Sequence, residues 1–422
     1  MLLHTCKALL RGFPMRIELK FYQPIVLAIL FHFFRKLAIS NDALQFIQQH
    51  QWQVDLSTFY NSTALAEALD TIDESPAFLM LNKHAVNVTL NWLCNVVNFK
   101  NVHNRLIILA FDTDTYKTLK RAWPNLQVLH WKIPVMDRRF SAGDGRYQMF
   151  QLLRSNLCAY LASLGRDFWM IQSDTYWREN LFEIVDPKLM LNDDENLLFD
   201  QEGSDGLLAE MIAGGNYFVK ADQRSVLFFI ELSRRLLTYY STDNNIMGGL
   251  CSYRYAGNKC SFIPYRILSN WRWHTGERKH LPLLMQFDGG AGSETKLQQM
   301  QQLGATFVIP ETLGGNQQAQ CNYSISQTPE YAITKSALTR HGNNELNIVQ
   351  LSIRVIHELC EWLCVVFPSF GRFRLYSDCT SSSSTECTAK ATPEPLSITF
   401  FTFPQLFTLP LPLSKKPLIT SA

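Results

Sequence analysis

Short apolar runs alternate with helical patterns through the first half of the chain. Between the runs, apolar side chains recur at helical spacing, as from Met149 to Leu164, where Gly165 ends the pattern. Each run is bounded by polar residues, which is typical of a buried strand. Such strands are predicted at 77–82, 105–111, 126–131 and 168–171. Strands that alternate with helices predict the α/β fold class, with a mostly parallel sheet covered on its faces.

The pattern changes after residue 174. Short strand-like pieces at 197–200, 208–213 and 216–220 are separated by glycine and aspartate rather than by helices, so this half is predicted to be mixed. Further helices are predicted at 222–240, 243–251 and 293–303, and a closing strand at 305–309. One domain is therefore predicted over residues 77–310.

The N-terminus resembles an entry signal to the secretory pathway. Basic residues precede an apolar run from Phe21 to Phe34, which Arg35 and Lys36 close. Its length of about 14 residues is below that of a comfortable membrane span and within the range of a signal-peptide core. No small-residue cleavage site follows, and the positive flank favours a cytoplasmic N-terminus. A cytoplasmic tail and an uncleaved signal anchor are predicted over residues 1–38, a stem over 39–76 and a partly disordered tail over 311–422. A buried amphipathic helix is the alternative to the anchor.

Composition and charge narrow the classes of partner. The net charge is +2 and no basic run exceeds a pair, which excludes the charge pattern of a nucleic-acid-binding protein. Asn-X-Ser/Thr sequons at Asn61, Asn87 and Asn322 agree with a luminal body. Ten cysteines in 422 residues are too few for a disulfide scaffold. A few bridges are plausible in an oxidising compartment, and Cys251 and Cys260 are the nearest pair in the central region.

Asp174 is the first candidate for chemistry. It follows the apolar run at 168–171 after Gln172 and Ser173, so a buried strand would place its carboxylate at the carboxyl end, where open α/β sheets bind ligands. A carboxylate in that place can hold a divalent cation that bridges the phosphates of a nucleotide. The alternative is that Asp174 caps a helical turn near Trp177.

Three further segments could contribute to a site. Asp112 and Asp114 have Asp-X-Asp spacing, but Asp112 is predicted to be a helix N-cap that at most borders a base or ribose pocket. The glycine-rich segment 288–292 precedes a helix with Lys296 in its first turn, which predicts a diphosphate site, with a plain loop as the alternative. The segments 214–216 and 243–245 could place bare backbone and polar side chains near a sugar, although each alone is more often a turn.

These segments together resemble the nucleotide-diphospho-sugar transferase domain family, which includes plant arabinosyl- and xylosyltransferases and many nematode proteins. The similarity spans residues 77–309 and is carried by the segments 91–94, 168–177, 212–218, 243–245 and 286–290, with Lys296. It implies a GT-A fold, which is a Rossmann-related mixed sheet with helices on both faces. It also implies a nucleotide-diphospho-sugar donor, a glycan or glycoprotein acceptor, and manganese or another divalent cation. It further implies a type II Golgi membrane protein with a luminal catalytic domain, with a secreted protein as the alternative.

The resemblance also assigns roles to single residues. Asp174 matches the second aspartate of the family's Asp-X-Asp metal motif, and Gln172 stands in place of the first. Asp243 and Asn244 match the catalytic Asp-Gln pair, and Gln286 stands where a histidine is often found. Donor binding is expected of Asn82, Asp112, Arg154, Gly214, Gly215, Asp288, Gly289, Gly290 and Lys296. The alternative function is a non-catalytic nucleotide-sugar or glycan-binding protein on the same fold.

Overall fold

The computed structural model describes residues 22–331, except for 141–142, 205, 276–279, 288–292 and 314–317. In these residues the strands are β1 (Ala77–Leu81), β2 (Leu106–Ala110), β3 (Gln127–His130), β4 (Phe168–Met170), β5 (Thr175–Trp177), β6 (Leu197–Gln201), β7 (Ile212–Val219), β8 (Cys260–Ile263), β9 (Leu268–Ser269) and β10 (Leu284–Gln286). The helices are α1 (Tyr22–His50), α2 (Leu56–Tyr60), α3 (Thr63–Asp70), α4 (Val86–Asn95), α5 (Thr113–Ala122), α6 (Gly145–Ser163), α7 (Leu181–Ile184), α8 (Pro187–Met190), α9 (Gln223–Thr238), α10 (Asp243–Ser252), α11 (Trp271–Thr275), α12 (Ser293–Gln302) and α13 (Tyr323–Ser326). The strands predicted before residue 172 and the three helices predicted after residue 221 are thereby confirmed.

The main sheet has the strand order β3-β2-β1-β4-β7-β6-β8 in the described residues. Strands β3, β2, β1 and β4 are parallel, whereas β7 runs antiparallel to both β4 and β6. The chain builds outwards from β1 to β3 and then returns to place β4 on the other side of β1. This reversal creates a topological switch point, and open α/β sheets bind ligands at the carboxyl edge of such a point. The mixed α/β class with a parallel-rich sheet agrees with the sequence analysis.

Helices cover both faces of the main sheet, as predicted. Along β1, Phe78 and Met80 belong to the apolar core under α6 and α9, while Leu79 and Leu81 belong to the core under α4 and α5. This alternation follows from the pleat, which sends successive side chains to opposite faces. A small second sheet, ordered β5-β10-β9, adjoins the main sheet just beyond β4.

The two short strands predicted at 208–213 and 216–220 are wrong as separate elements. One strand, β7, runs from 212 to 219, and Gly206–Glu210 forms a 3-10 turn before it. Glycines do not break β7 because the Asp200 carboxylate accepts hydrogen bonds from the backbone N–H groups of Gly214, Gly215 and Asn216 at 2.7, 3.0 and 2.8 Å. A side chain thus replaces ladder bonds where the register between β6 and β7 shifts.

The residues that follow α12 are held against α4. The Asn91 amide nitrogen donates to the Ala305 carbonyl at 3.1 Å, and its oxygen accepts from the Phe307 N–H at 2.7 Å. A disulfide joins Cys94 to Cys321, next to a single antiparallel bridge between Val308 and Cys321 that replaces the strand predicted at 305–309. Residues 311–313 and 318–331 of the predicted tail therefore belong to the described structure. The tail from residue 332 lies outside it.

The other described disulfide joins Cys251 to Cys260. It links the end of α10 to the start of β8. The sequence analysis identified these cysteines as the nearest pair in the central region and left the connectivity open.

The N-terminal helix α1 changes character along its length. Its first half exposes the apolar residues Val26, Leu27, Leu30, Phe31, Phe33 and Phe34. Its second half packs with α6, and Ile47 joins the same core as Phe59 and Leu65 of the predicted stem. Among the described helices, none combines the length and the apolar character that a membrane span requires.

Candidate functional site

The carboxyl ends of β1 and β4 meet at the switch point of the main sheet. Asn82 and Lys83 follow β1, and the turn at 172–174 follows β4. The Thr89 hydroxyl of α4 donates to the Ser173 hydroxyl at 2.9 Å, which ties the helix after β1 to the turn after β4. The polar residues that end both strands therefore lie together at this edge, as the sequence pattern predicts.

Asp174 lies in the turn between β4 and β5, and its side chain is 13% exposed. The Lys296 ammonium of α12 lies 2.5 Å from Asp174 Oδ2, and the Phe287 N–H donates to the Asp174 carbonyl at 2.7 Å. A strand begins at the next residue, Thr175, and the next helix is capped by Asn180. The alternative in which Asp174 caps a helical turn is therefore wrong.

Gln172 meets Gln286 across the gap between the two sheets. Strand β10 pairs with β5 so that Gln286 lies opposite Thr175, and the amides of Gln286 and Gln172 lie 2.5 Å apart. Gln286 is 3% exposed, and the amide atom that faces away from Gln172 has no hydrogen-bond partner in the described residues. A buried polar atom of this kind is one that a bound ligand or water would satisfy.

The amide of Gln172 also bridges two charged groups. With its oxygen turned towards α6, it accepts from Arg154 Nη1 at 3.2 Å, and its nitrogen lies 3.3 Å from Asp174 Oδ1. In the opposite orientation, the Gln172 oxygen would face the Asp174 carboxylate and the Gln172 nitrogen would face the Arg154 guanidinium. Gln172 thereby connects the guanidinium of Arg154 to the carboxylate of Asp174.

Arg154 forms a buried ion pair with Asp243. Its Nε donates to Asp243 Oδ2 at 3.0 Å, and the two residues are 5% and 4% exposed. The rings of Phe150 and Tyr217 lie 5.9 and 5.6 Å from the guanidinium carbon. Burial alone would lower the pKa of Arg154, but the Asp243 carboxylate more than offsets it and the pKa lies above its ordinary value. Asp243 therefore holds a charged Arg154 in place.

The two glycines in β7 admit neighbouring elements closely. A Cβ on Gly214 would lie 2.9 Å from the Asn244 Cβ, and a Cβ on Gly215 would lie 2.2 Å from the Gln286 amide nitrogen. Asn244, the partner of Asp243 in the predicted catalytic pair, donates from its amide to the Ile212 carbonyl at 3.2 Å. The glycines thus allow α10 and β10 to approach the sheet at the site. Direct contact of either glycine with a donor stays a prediction.

Two other predicted donor-binding residues are engaged within the protein. The Asn82 amide donates to the Met136 carbonyl at 2.8 Å. Asp112 caps α5 by accepting from the Thr115 N–H at 2.8 Å, and its other oxygen accepts from the Lys83 N–H at 2.7 Å. The predicted N-cap is confirmed, and a contact of either residue with a donor stays a prediction.

The remaining predicted donor-binding residues are Asp288, Gly289 and Gly290, which lie outside the described residues. The sequence analysis in turn missed Asp200, which is 1% exposed. Burial raises the pKa of Asp200 to about 6, although its bonds with backbone N–H groups act in the opposite direction. The sequence feature that could have identified Asp200 is its position at the end of the apolar run at 197–200. Its partners in β7 could not be read from local sequence.

Among the described residues, the side chains at this edge do not fit a divalent cation. Such ions prefer several oxygen ligands with carboxylates among them, and the described residues contain no cluster of three or more histidine, cysteine, aspartate or glutamate side chains suited to a metal. Of the two predicted ligands, Gln172 is a neutral amide in contact with Gln286, and Asp174 is paired with Lys296. The predicted manganese ion thus has its support in the family resemblance.

Comparison with solved structures finds weak likenesses to glycosyltransferases. The apo WbbM bifunctional glycosyltransferase is 14% identical over 52% of this chain and 47% of its own length, with a TM-score of 0.37. The apo form of mouse xyloside xylosyltransferase 1 is 7% identical over 52% of this chain and 99% of its own, with a TM-score of 0.39. The mannosyltransferase PcManGT from Pyrobaculum calidifontis, in complex with GDP-Man and Mn2+, is 11% identical over 80% of this chain and 94% of its own, with a TM-score of 0.31.

No curated protein sequence matches the chain at a significant level. A family model does match, and it covers residues 101–300. That range includes β2 to β10, the turn at 172–174, Arg154, Asp243 and Lys296. Over this range the chain is similar to the nucleotide-diphospho-sugar transferase family.

Proposed function

We propose that the domain at residues 77–310 transfers a sugar from a nucleoside-diphosphate donor to a hydroxyl group of a glycan or glycoprotein. The observation that supports this most is the convergence of Lys296, Asp174, Gln172 and Arg154 at the carboxyl edge of the switch point, in a region that matches a nucleotide-diphospho-sugar transferase family. Neither the sugar nor the acceptor class is specified by these residues.

The chemistry of such a transfer suits two fixed cations. When the bond between the sugar and the diphosphate breaks, negative charge grows on the phosphate oxygens, and preorganised positive groups stabilise it. The Lys296 side chain is 21% exposed and can contact a ligand directly. The Arg154 side chain is 6% exposed, so it contributes mainly through its field and through its bond with Gln172. Asp243 acts through Arg154 and is a positioning residue in this proposal.

A non-catalytic nucleotide-sugar or glycan-binding protein is the second candidate. Asp243, the predicted catalytic carboxylate, is 4% exposed and paired with Arg154, while Asp174 is paired with Lys296. Carboxylates that are paired in this way are poorly placed to act as a base or nucleophile, which favours binding without turnover.

We further propose that the body of the protein lies in the lumen of the Golgi, behind the predicted N-terminal anchor. Two disulfides, Cys94–Cys321 and Cys251–Cys260, are consistent with an oxidising compartment. Asn61 of the first sequon is exposed and accessible to glycosylation. The exposed apolar side chains in the first half of α1 agree with contact between this segment and a membrane.

The test is donor binding and donor hydrolysis by the full chain in detergent micelles. Calorimetry with a panel of nucleotide sugars should identify at least one donor, and product analysis should detect its hydrolysis or transfer to acceptor glycans. Asp174→Asn should weaken donor binding roughly 10-fold or more, since it loosens the hold on Lys296. The matched control is Asp194→Asn, because Asp194 forms a surface ion pair with Lys259 away from the site.

The outcomes separate the candidates. Binding with turnover that Asp174→Asn reduces and Asp194→Asn leaves unchanged supports the transferase. Binding of a donor without turnover on any acceptor supports the second candidate. If no nucleotide sugar binds, the transferase and the nucleotide-sugar-binding form of the second candidate are both wrong.

A further inference from the structure

We propose that donor binding at this site requires no divalent cation, because the Lys296 ammonium, held by Asp174, takes the position that a cation would occupy beside the diphosphate. This inference depends on the proposed function and specifies how the site holds its donor. It names Lys296 as the residue that contacts the phosphates, with Arg154 as the second positive charge behind it.

The balance of charge at the site is the first reason. A divalent cation is held where carboxylates outnumber fixed positive groups. Here Lys296 already lies on Asp174, and Arg154 already lies on Asp243. An added ion at Asp174 would be close to the Lys296 ammonium, and the repulsion would be strong in a partly buried site. Within the described residues, the carboxylates of Asp174 and Asp243 are therefore each compensated without a metal.

Gln172 provides the second reason. A neutral amide at this position removes one negative charge, so Asp174 is the carboxylate that the described structure places beside the Lys296 ammonium. The amide oxygen faces Arg154 at 3.2 Å and the amide nitrogen faces Asp174 Oδ1 at 3.3 Å. The contact with Asp174 requires an amide, because a carboxylate in this position cannot donate to Asp174. The residue that weakens a metal motif thus strengthens the hold on Lys296.

The position of Lys296 is the third reason. It lies in the first turn of α12, a ten-residue helix whose N-terminus adds partial positive charge. An ammonium group has three N–H donors, so its contact with Asp174 is compatible with a bond to a phosphate oxygen. Its side chain is 21% exposed, which leaves it accessible to a ligand.

The experiment measures binding of UDP and GDP to the full chain by calorimetry, once in EDTA and once in Mn2+. For the wild type, we expect whichever of UDP and GDP binds more tightly to have the same affinity in EDTA as in Mn2+. Lys296→Gln should weaken that binding roughly 10- to 100-fold, and Lys296→Arg should retain most of it. The matched control is Lys259→Gln, which removes the surface ion pair with Asp194 and should leave binding unchanged.

A second variant tests directly whether a metal ion can replace the Lys296 ammonium. Gln172→Asp combined with Lys296→Gln restores a pair of carboxylates and removes the ammonium. We expect this variant to bind Mn2+, measured by electron paramagnetic resonance without nucleotide, whereas the wild type does not. Its binding of nucleoside diphosphate should then depend on Mn2+. Thermal unfolding of each variant shows whether it is folded.

The outcomes distinguish a failure of this inference from a failure of the proposed function. If EDTA abolishes nucleotide binding by the wild type, or if folded Lys296→Gln binds as tightly as the wild type, the inference is wrong while the proposed function stands. If neither diphosphate binds under either condition, the proposed function fails and the inference fails with it.

Discussion

The amides of Gln172 and Gln286 lie 2.5 Å apart, although 114 residues separate them in the chain. Gln286 is fixed by the pairing of β10 with β5, and Gln172 contacts both Arg154 and Asp174. The small sheet therefore determines where the amide of Gln172 can lie, and through it the position of both charged groups.

Gly215→Ala tests this coupling. The added methyl group would lie 2.2 Å from the Gln286 amide nitrogen, so the amide must move and its contact with Gln172 is lost. We expect nucleoside-diphosphate binding, measured by calorimetry, to weaken severalfold, with a loss of about 1–3 kcal/mol in the free energy of unfolding.

Gly165→Ala is the control for this variant. Nothing lies within 4 Å of a Cβ at Gly165, but its φ of +69° is strained for alanine. It should reduce the free energy of unfolding by about 1–2 kcal/mol and leave binding unchanged. Unaltered binding by folded Gly215→Ala would contradict the coupling.

The buried pair of Arg154 and Asp243 yields a second prediction. Asp243→Ala leaves an uncompensated guanidinium in a site where both residues are about 5% exposed, so the free energy of unfolding should fall by about 3–5 kcal/mol. The double variant Arg154→Met/Asp243→Leu should recover much of this loss because no buried charge remains. Urea denaturation of the single and double variants measures both effects. If the double variant loses as much free energy of unfolding as the single variants together, the two side chains are not coupled.

Asp200 predicts how stability changes with pH. Burial raises its folded-state pKa from 3.8 to about 6, so folding favours the protonated form. Its contribution to stability is fully present below pH 3.8 and is lost as the pH rises through 6, by about 3 kcal/mol in total. The stability of the wild type minus that of Asp200→Asn should therefore fall from acid to neutral pH and then stay level. Urea denaturation at intervals from pH 4 to 8 measures it, and a difference that rises with pH would contradict the assignment.

The two disulfides should differ in their contribution to stability. Cys94–Cys321 closes a loop with a sequence separation of 227, whereas Cys251–Cys260 closes one of 9. Constraint of the unfolded chain is worth at most about 5 kcal/mol for the longer loop and about 2.5 for the shorter one. Cys94→Ala/Cys321→Ala should therefore unfold in urea well before Cys251→Ala/Cys260→Ala. A larger loss in the second variant would contradict the loop-length explanation.

The sequence predicted the elements whose signals are local. Asp112 caps α5, and Asp222 caps α9 by accepting from the Ser225 N–H at 2.8 Å. Gly165, with φ of +69°, follows the end of α6. Each depends on groups a few residues away, so the local pattern determines the structure.

The errors and omissions have non-local causes. Gly214 suggested a break between two strands, but Asp200 supplies bonds from the neighbouring strand and keeps β7 continuous. The sequence did not show that Lys296 lies beside Asp174, 122 residues away in the chain. Contacts over such distances depend on strand order and register, which spacing alone does not reveal.

The disulfide between Cys94 and Cys321 has a consequence for biosynthesis. The segment that carries Lys296 joins the sheet at β10 on one side and is fastened to α4 by Asn91 and Cys321 on the other. This fastening cannot be completed until residue 321 has left the ribosome and its thiol has been oxidised. A nascent chain arrested before that residue should already contain β1 to β8 yet bind nucleoside diphosphate poorly, so competence to bind arises only after Cys321 has been synthesised.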